Sequence, residues 1–146
     1  MQINATIAHI IQSVEQNGVC VEKEMNNFSL TDMDIVFPHV AILLCLRGTA
    51  RVMFDMQEHV IEKNDLGILM PGHVYRRIAC SDDYAYARVF ISAEMISELK
   101  TRAFSHDSDK FNYMPKCHLT DMQAKRAMAL IELLDAIASH DTKDLQ

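Results

Sequence analysis

The chain has 146 residues, of which 49% are apolar and 23% are charged. This balance is typical of a soluble globular protein of one domain, and it excludes a disordered or fibrous chain. The 14 basic and 20 acidic residues give a net charge of −6. A domain that holds DNA or RNA by itself normally has a basic surface, so we do not expect this chain to bind nucleic acid unaided.

Cysteine spacing and hydropathy indicate a cytoplasmic protein. The four cysteines lie far apart and include no C-x-x-C pair, which predicts small buried side chains in a reducing compartment. Residues 1–6 contain no basic segment of the kind that opens a secretory signal. The longest apolar run, Val40–Leu46, is too short to cross a bilayer.

Short extended segments separated by turns occupy the first part of the chain. Residues 1–18 are expected to form an N-terminal arm or a short helix, and an extended segment is predicted between Val19 and Leu30. The continuous apolar run Val40–Leu46 is typical of a buried strand. Further strands, most of them alternating between apolar and polar residues, are predicted at Ala50–Phe54, His59–Glu62, Leu66–Met70, Val74–Cys80 and Tyr84–Ile91.

The turns between these strands are too short to contain crossover helices. Arg47-Gly48, Asn64-Asp65 and Pro71-Gly72 are turn signals, and Asn64 tolerates a left-handed backbone. Short strands at this regular spacing predict an antiparallel sandwich or barrel. The predicted fold class is therefore mainly β, with a small antiparallel β-barrel over residues 19–91 followed by C-terminal α-helices.

After Ile91 the spacing of apolar residues changes from the two-residue period of strands to the period of helices. Ser92 is a suitable cap for a helix that begins at Ala93. A polar loop is expected at 105–110. Thr120 and Gln123 match a capping box, which predicts a long helix that ends near Ser139. We expect 92–139 to be a helical dimerisation region and 140–146 to be a linker.

The long helix carries more apolar surface than packing on one core requires. The excess favours a second contact with a partner subunit or a neighbouring domain, although a helix sunk in a groove of its own domain is the alternative. We predict a homodimer. The residues assigned to its interface are Ala127, Met128, Leu130, Ile131, Leu134 and Ala138.

No catalytic or metal-binding motif is present in the sequence. The seven histidines include no His-x-His pair, which metal-binding β-barrels commonly use. His39, His59 and His73 could meet in space, but surface or hydrogen-bonded histidines are the preferred interpretation. There is no G-x-S-x-G, H-E-x-x-H or glycine-rich phosphate loop. We therefore predict no catalytic residues, no metal and no cofactor.

The order of these motifs resembles the cupin-like (jelly-roll) sensor domain of AraC-type transcription regulators. The resemblance rests on Gly48, the Asn64-Asp65 turn, residues 71–75 (PGHVY) and the strand-to-helix step after Ile91. It continues with P-x-x-x-L-T-x-x-Q from Pro115 to Gln123 and covers about residues 37–139. Metal-binding cupins have His-x-His and glutamate after the first glycine, where this chain has TARVMF.

The resemblance implies an effector-binding and dimerisation domain without catalysis. In that family a small effector, often a sugar or related metabolite, binds in the barrel, and a separate helix-turn-helix domain binds DNA. Only residues 140–146 follow the long helix here, so we expect either a stand-alone sensor or a sensor domain whose DNA contacts belong to a domain absent from this chain. The predicted ligand-binding residues are polar groups on or beside the strands: His39, Arg47, His73, Tyr75, Tyr86 and Arg88.

Two other functions fit the sequence. The first is a stand-alone cupin enzyme, an isomerase or dioxygenase that acts on a small metabolite, which would require a bound metal. The second is an interaction module whose long helix joins a larger assembly.

Overall fold

The computed structural model describes residues 5–25, 34–103 and 116–144. Three helices lie at α1 (Ala5–Asn17), α2 (Ala93–Ala103) and α3 (Asp121–Asp144). The strands in chain order are β1 (Val19–Met25), β2 (Ile35–Val36), β3 (Val40–Arg47), β4 (Thr49–Phe54), β5 (Gln57–Glu62), β6 (Asp65–Leu69), β7 (Val74–Cys80), β8 (Ala85–Ile91) and β9 (Lys116–His118).

The strands form two antiparallel sheets. The first has the order β1-β8-β3-β6-β9 and the second the order β2-β7-β4-β5. The mainly β architecture followed by helices is confirmed, but in the part of the chain that is described the strands form two sheets and not one closed barrel. The sequence did not reveal β2 and β9, because strands of two and three residues are too short to show a period.

The five-stranded sheet is packed on both faces, which explains the continuous apolar run of β3. Ile42, Leu44 and Leu46 pack on the outer face in a cluster that includes Ile131 of α3. Leu43 and Cys45 alternate with them and pack toward the four-stranded sheet. A strand with apolar neighbours on both sides has no polar face, so its sequence shows no alternation.

Local backbone geometry confirms the turn and cap signals. Asn64 adopts the predicted left-handed conformation with φ of 73°. The Gln123 amide N–H donates to Thr120 Oγ1 at 3.1 Å, and the Thr120 N–H donates to Gln123 Oε1 at 2.9 Å, so the capping box is confirmed. Ser92 Oγ accepts from the Met95 N–H at 3.1 Å, which is the expected N-cap of α2.

Some expectations fall outside the described residues or need correction. Residues 26–30 of the predicted extended segment and the polar loop at 105–110 lie outside the described residues. Residues 140–144, expected to begin a linker, continue α3 to Asp144. No helix in the described ranges is long and apolar enough to span a membrane.

The structure divides the predicted dimer residues between two faces of α3. Ile131 is 6% exposed, and together with Ala127 and Met128 it packs against the chain's own five-stranded sheet. These three residues therefore cover the core of their own domain, with Ile131 buried and Ala127 and Met128 half-buried. Leu130 and Leu134 are exposed, and Ala138 is half-buried. The exposed apolar face of α3, which we call the α3 stripe, consists of Met122, Leu130, Leu133, Leu134 and Ile137.

Replacing Gly48 by alanine should destabilise the fold strongly. Gly48 has φ of 72°, and a Cβ there would lie 2.7 Å from Asp83 Oδ1 and 2.8 Å from the Tyr84 Cα. Left-handed strain of about 1–2 kcal/mol therefore adds to a backbone clash of about 1–3 kcal/mol. We expect Gly48→Ala to lower the free energy of unfolding in urea by about 2–5 kcal/mol.

Gly72→Ala is the matched control for this prediction. Gly72 also has a positive φ, 89°, but a Cβ there would meet no atom within 4 Å. We expect a loss of only about 1–2 kcal/mol from backbone strain. Equal losses in the two variants would contradict the close packing of Gly48 against the turn at 81–84.

Candidate ligand-binding site

A cavity lies between the two sheets, with the N-terminal helix at one side. Its volume is about 90 Å³, and because a water-sized group needs roughly 10–15 Å³, it has room for several such groups. Its lining is drawn from α1 and from strands of both sheets. Most lining residues are apolar, namely Ile7, Ile10, Ile35, Phe37, Ala41, Leu43, Phe54, Ile61, Gly67, Ile68, Leu69 and Phe90.

Two arginines bring positive charge into this apolar cavity. Arg77, on β7, is 7% exposed, and its guanidinium carbon lies 5.9 Å from the ring centroid of Tyr84. Arg88, on β8, lies over the rings of Tyr86 and Phe90 at 5.0 and 5.1 Å. A cation over an aromatic face is stabilised by the ring quadrupole, so the aromatic walls help to hold both guanidinium groups at the cavity.

Glu22 of β1 forms an ion pair with Arg88. Its Oε1 accepts from Arg88 Nε at 2.8 Å and lies 2.5 Å from Nη2. Glu22 and Arg88 are directly opposite each other in the β1–β8 ladder. Their side chains are 15% and 13% exposed, so water screens this pair less than a surface salt bridge.

Three tyrosines complete the polar part of the lining. Burial raises the pKa of Tyr75 to about 12, although Arg77 and Arg88 lower it in part. Burial also raises the pKa of Tyr84. Both phenols are therefore protonated near neutral pH and can donate hydrogen bonds. The Tyr86 hydroxyl is buried and has no hydrogen-bond partner among the described residues.

Three of the six predicted ligand-binding residues line the cavity, and three do not. Tyr75, Tyr86 and Arg88 are in the lining. His39 instead accepts the Ala93 N–H at Nδ1 (3.1 Å), so it supports the start of α2. Arg47 is 54% exposed and pairs with Glu24 at 2.8 Å on the surface.

His73 has a structural role in the turn before β7. Its Nδ1 lies 2.5 Å from Asp55 Oδ2, and its ring stacks on Phe54. The Val74 N–H and His73 lower the pKa of Asp55. Residue type alone predicts His39, Arg47 and His73 as ligand-binding residues, but their partners hold them outside the cavity.

Arg77 and Tyr84 were missed, although the sequence contained a usable signal. Arg77 follows Tyr75 by two residues, and Tyr84 precedes Tyr86 by two, so strand alternation puts each on the same face as a residue that was selected. β7 also contains a register shift where it pairs with β4. Selection by strand face would have included both residues.

The three histidines considered as metal ligands do not converge on one centre. His59 and His73 both contact Phe54, whereas His39 Nε2 lies 3.6 Å from Glu15 Oε1. Among the residues that the structure describes, no three His, Cys, Asp or Glu side chains are placed to share a metal.

The cysteines are not all buried, contrary to expectation. Cys45 is buried, and burial raises its thiol pKa to about 11, whereas Cys117 is exposed.

Comparison with known proteins identifies the family of this chain. The family model for the AraC-like ligand binding domain matches residues 34–146. ToxT from Vibrio cholerae O395, bound to (E)-4-(8-methylnaphthalen-1-yl)but-3-enoic acid, is similar in structure, with a TM-score of 0.51 and 12% identity over 80% of this chain and 48% of ToxT. A cupin 2 conserved barrel domain protein from Leptotrichia buccalis gives a TM-score of 0.38 and 14% identity over 51% of this chain and 41% of that protein. No curated protein sequence matches the chain significantly.

The domain is mainly β with C-terminal helices, as predicted, and it has an interior cavity. The chain belongs to the AraC-like ligand binding domain family and is an effector-binding regulatory domain. It spans about half the length of ToxT.

Replacing Tyr86 by phenylalanine should not destabilise the ligand-free domain. The variant keeps the buried ring and removes a buried hydroxyl that has no partner among the described residues. A buried polar group without a partner costs about 1–3 kcal/mol, so we expect the free energy of unfolding in urea to stay the same or to rise by about 1 kcal/mol. A loss of more than 1 kcal/mol would instead show that the hydroxyl makes a stabilising contact.

Proposed function

We propose that this domain binds a small organic anion, a carboxylate joined to an apolar body, as the effector of a transcription regulator. The observation that carries the proposal is that the lining of a mostly apolar cavity includes the guanidinium groups of Arg77 and Arg88, both placed against aromatic rings. A guanidinium presents its N–H donors in a planar fork that matches the two oxygens of a carboxylate, and such charge-assisted pairs are stronger than neutral hydrogen bonds. A carboxylate joined to an apolar body therefore matches both the cations and the apolar walls.

The remaining walls suit the rest of such a ligand. Phe37, Phe54 and Phe90 offer aromatic surface to an apolar body, and the Tyr75 phenol offers a hydrogen-bond donor. These walls favour an apolar acid over the sugar that the family resemblance implies, since a sugar has hydroxyls around its whole ring that need polar partners. The ligand held by ToxT is a carboxylic acid on a fused aromatic body, which is the same chemical class.

The output of the domain is proposed to pass through dimerisation and a DNA-binding domain outside this chain. The net charge of −6 agrees with DNA contacts made elsewhere in the regulator. The α3 stripe is proposed to pack on the same stripe of a second copy, because a two-fold axis makes one apolar surface complementary to itself. The regulator is proposed to act in the cytoplasm.

We propose no catalytic activity for this domain. A cupin isomerase or dioxygenase uses a metal held by clustered side chains, and the described part of the chain brings no such cluster together. The buried cysteine, Cys45, has a raised thiol pKa, which makes it a poor nucleophile.

Arg77→Gln should weaken the binding of a carboxylate selectively. We expect the Kd for (E)-4-(8-methylnaphthalen-1-yl)but-3-enoic acid to rise by about 10–100-fold, because a hydrogen bond to a charged group contributes about 1.5–3 kcal/mol. The Kd for the primary amide of the same compound should change little. Isothermal titration calorimetry measures both.

Arg51→Gln is the matched control for the arginine variant. Arg51 is an exposed arginine on β4 of the same sheet and pairs with Glu58 outside the cavity. The Arg51→Gln variant removes the same charge from the domain as Arg77→Gln, but the Kd of the acid and the Kd of the amide should both equal those of the wild type. Equal weakening of acid and amide by Arg77→Gln would contradict recognition of the carboxylate.

Charges placed in the α3 stripe should dissociate the proposed dimer. Leu130 and Ile137 are 62% and 51% exposed, so Leu130→Glu with Ile137→Glu leaves the domain core intact. We expect light scattering to give the mass of two chains for the wild type and of one chain for this double variant. Lys125→Glu, at an exposed position of α3 outside the stripe, should remain dimeric. A monomeric wild type would instead indicate that another part of the regulator covers the stripe.

A further inference from the structure

The cation at one side of the cavity already has a carboxylate partner within the protein. Arg88 lines the cavity, while Glu22, which it contacts at 2.5 and 2.8 Å, does not belong to the lining. Glu22 therefore lies beside Arg88 on the same face of the sheet, outside the cavity lining. Both contacts go to Oε1 of Glu22, and a guanidinium has further N–H donors that can bind a second carboxylate.

The position of Glu22 affects any anion that enters the cavity. Its negative charge offsets that of Arg88 and repels a ligand carboxylate that approaches the same guanidinium. Both side chains are largely buried, so solvent screens this repulsion weakly. Tyr75, Arg77 and Arg88 line the same cavity, so a carboxylate hydrogen-bonded to the Tyr75 phenol would lie near both arginines.

We propose that Glu22 is a specificity-determining residue that competes with the ligand's carboxylate for Arg88. The inference rests on the proposed binding of an organic anion. Glu22 makes binding depend on the charge of the ligand. Neutral ligands leave the Glu22–Arg88 pair intact, whereas an anion must share Arg88 with Glu22. An anion that gains enough from Arg77 and the aromatic walls binds despite this competition, whereas a small anion without an apolar body does not.

The test compares wild type, Glu22→Gln and Glu24→Gln in the full domain. The probes are (E)-4-(8-methylnaphthalen-1-yl)but-3-enoic acid and its primary amide, titrated by calorimetry at the same pH and salt concentration. Glutamine at position 22 keeps an oxygen that can accept from Arg88 but removes the charge. Glu24→Gln removes the same charge two residues along β1, from a pair with Arg47 that is exposed on the surface, and is the matched control.

We expect Glu22→Gln to lower the Kd of the acid by about tenfold or more and to leave the Kd of the amide within about twofold of the wild type. Glu24→Gln should leave both values within about twofold. If the wild type binds the acid but Glu22→Gln binds it equally or more weakly, the competition is wrong while the proposed anion site stands. If neither wild type nor variant binds acid or amide, the proposed ligand class fails, and the role of Glu22 fails with it.

A measurement on the wild type decides the question if Glu22→Gln does not fold. Competition changes the surroundings of the Arg88 Nε–Hε group, which donates to Glu22 in the ligand-free domain. We expect the ¹⁵N–¹H resonance of this group to shift when the acid saturates the domain and to stay in place with the amide. Equal shifts with both ligands, or none with the acid, would overturn the proposal.

Discussion

Burial of the five-stranded sheet on both faces is the constraint on which the rest of the structure depends. Along β3, alternate residues pack toward α3 on one side and toward the second sheet on the other. β8 does the same, with Ala87 and Val89 facing α3 while Tyr86 and Arg88 face the cavity. A single layer of backbone therefore separates the ligand cavity from α3. A strand displacement that changes the packing on one face of the sheet also changes the packing on the other face, because closely packed side chains transmit displacement.

The residues on the cavity side of the five-stranded sheet lower the stability of the ligand-free domain. Atoms that line a void have no packing partners on one side and lose their dispersion contacts. The Tyr86 hydroxyl is buried and makes no hydrogen bond among the described residues, which is also unfavourable. A core selected for stability alone would fill this space with apolar side chains. A ligand that binds only the folded state returns stability in proportion to its concentration relative to Kd, so these costs belong to a domain whose stability is coupled to an effector.

The sequence predicted the elements of this fold better than it predicted the site. Strong local chemistry fixed the cap at Thr120–Gln123 and the left-handed Asn64, and each is confirmed. The orientation of the strands was harder, because a run such as Val40–Leu46 has no polar face and gives no sign of which residues point inward. The same ambiguity affected α3, because its buried face and its exposed stripe contain the same types of apolar residue. Only the position of the sheet shows which of them are buried. Arg77 is not predicted by residue type alone, because residue type does not show which strand face a side chain lies on.

β1 is the strand that connects the charge in the cavity to α3. It is an edge strand of its sheet, hydrogen-bonded to β8 alone within the described residues, and its register with β8 is interrupted between Glu22 and Met25. Glu22 contacts Arg88 from this strand, while Val21 packs in the cluster that contains Ile131 and Lys23 pairs with Asp135 of α3 at 3.3 Å. An edge strand with an irregular register can shift with fewer lost hydrogen bonds than a central strand. A ligand carboxylate that draws Arg88 away from Glu22 therefore acts on the strand best able to move, and on the one whose next side chains along the chain contact α3.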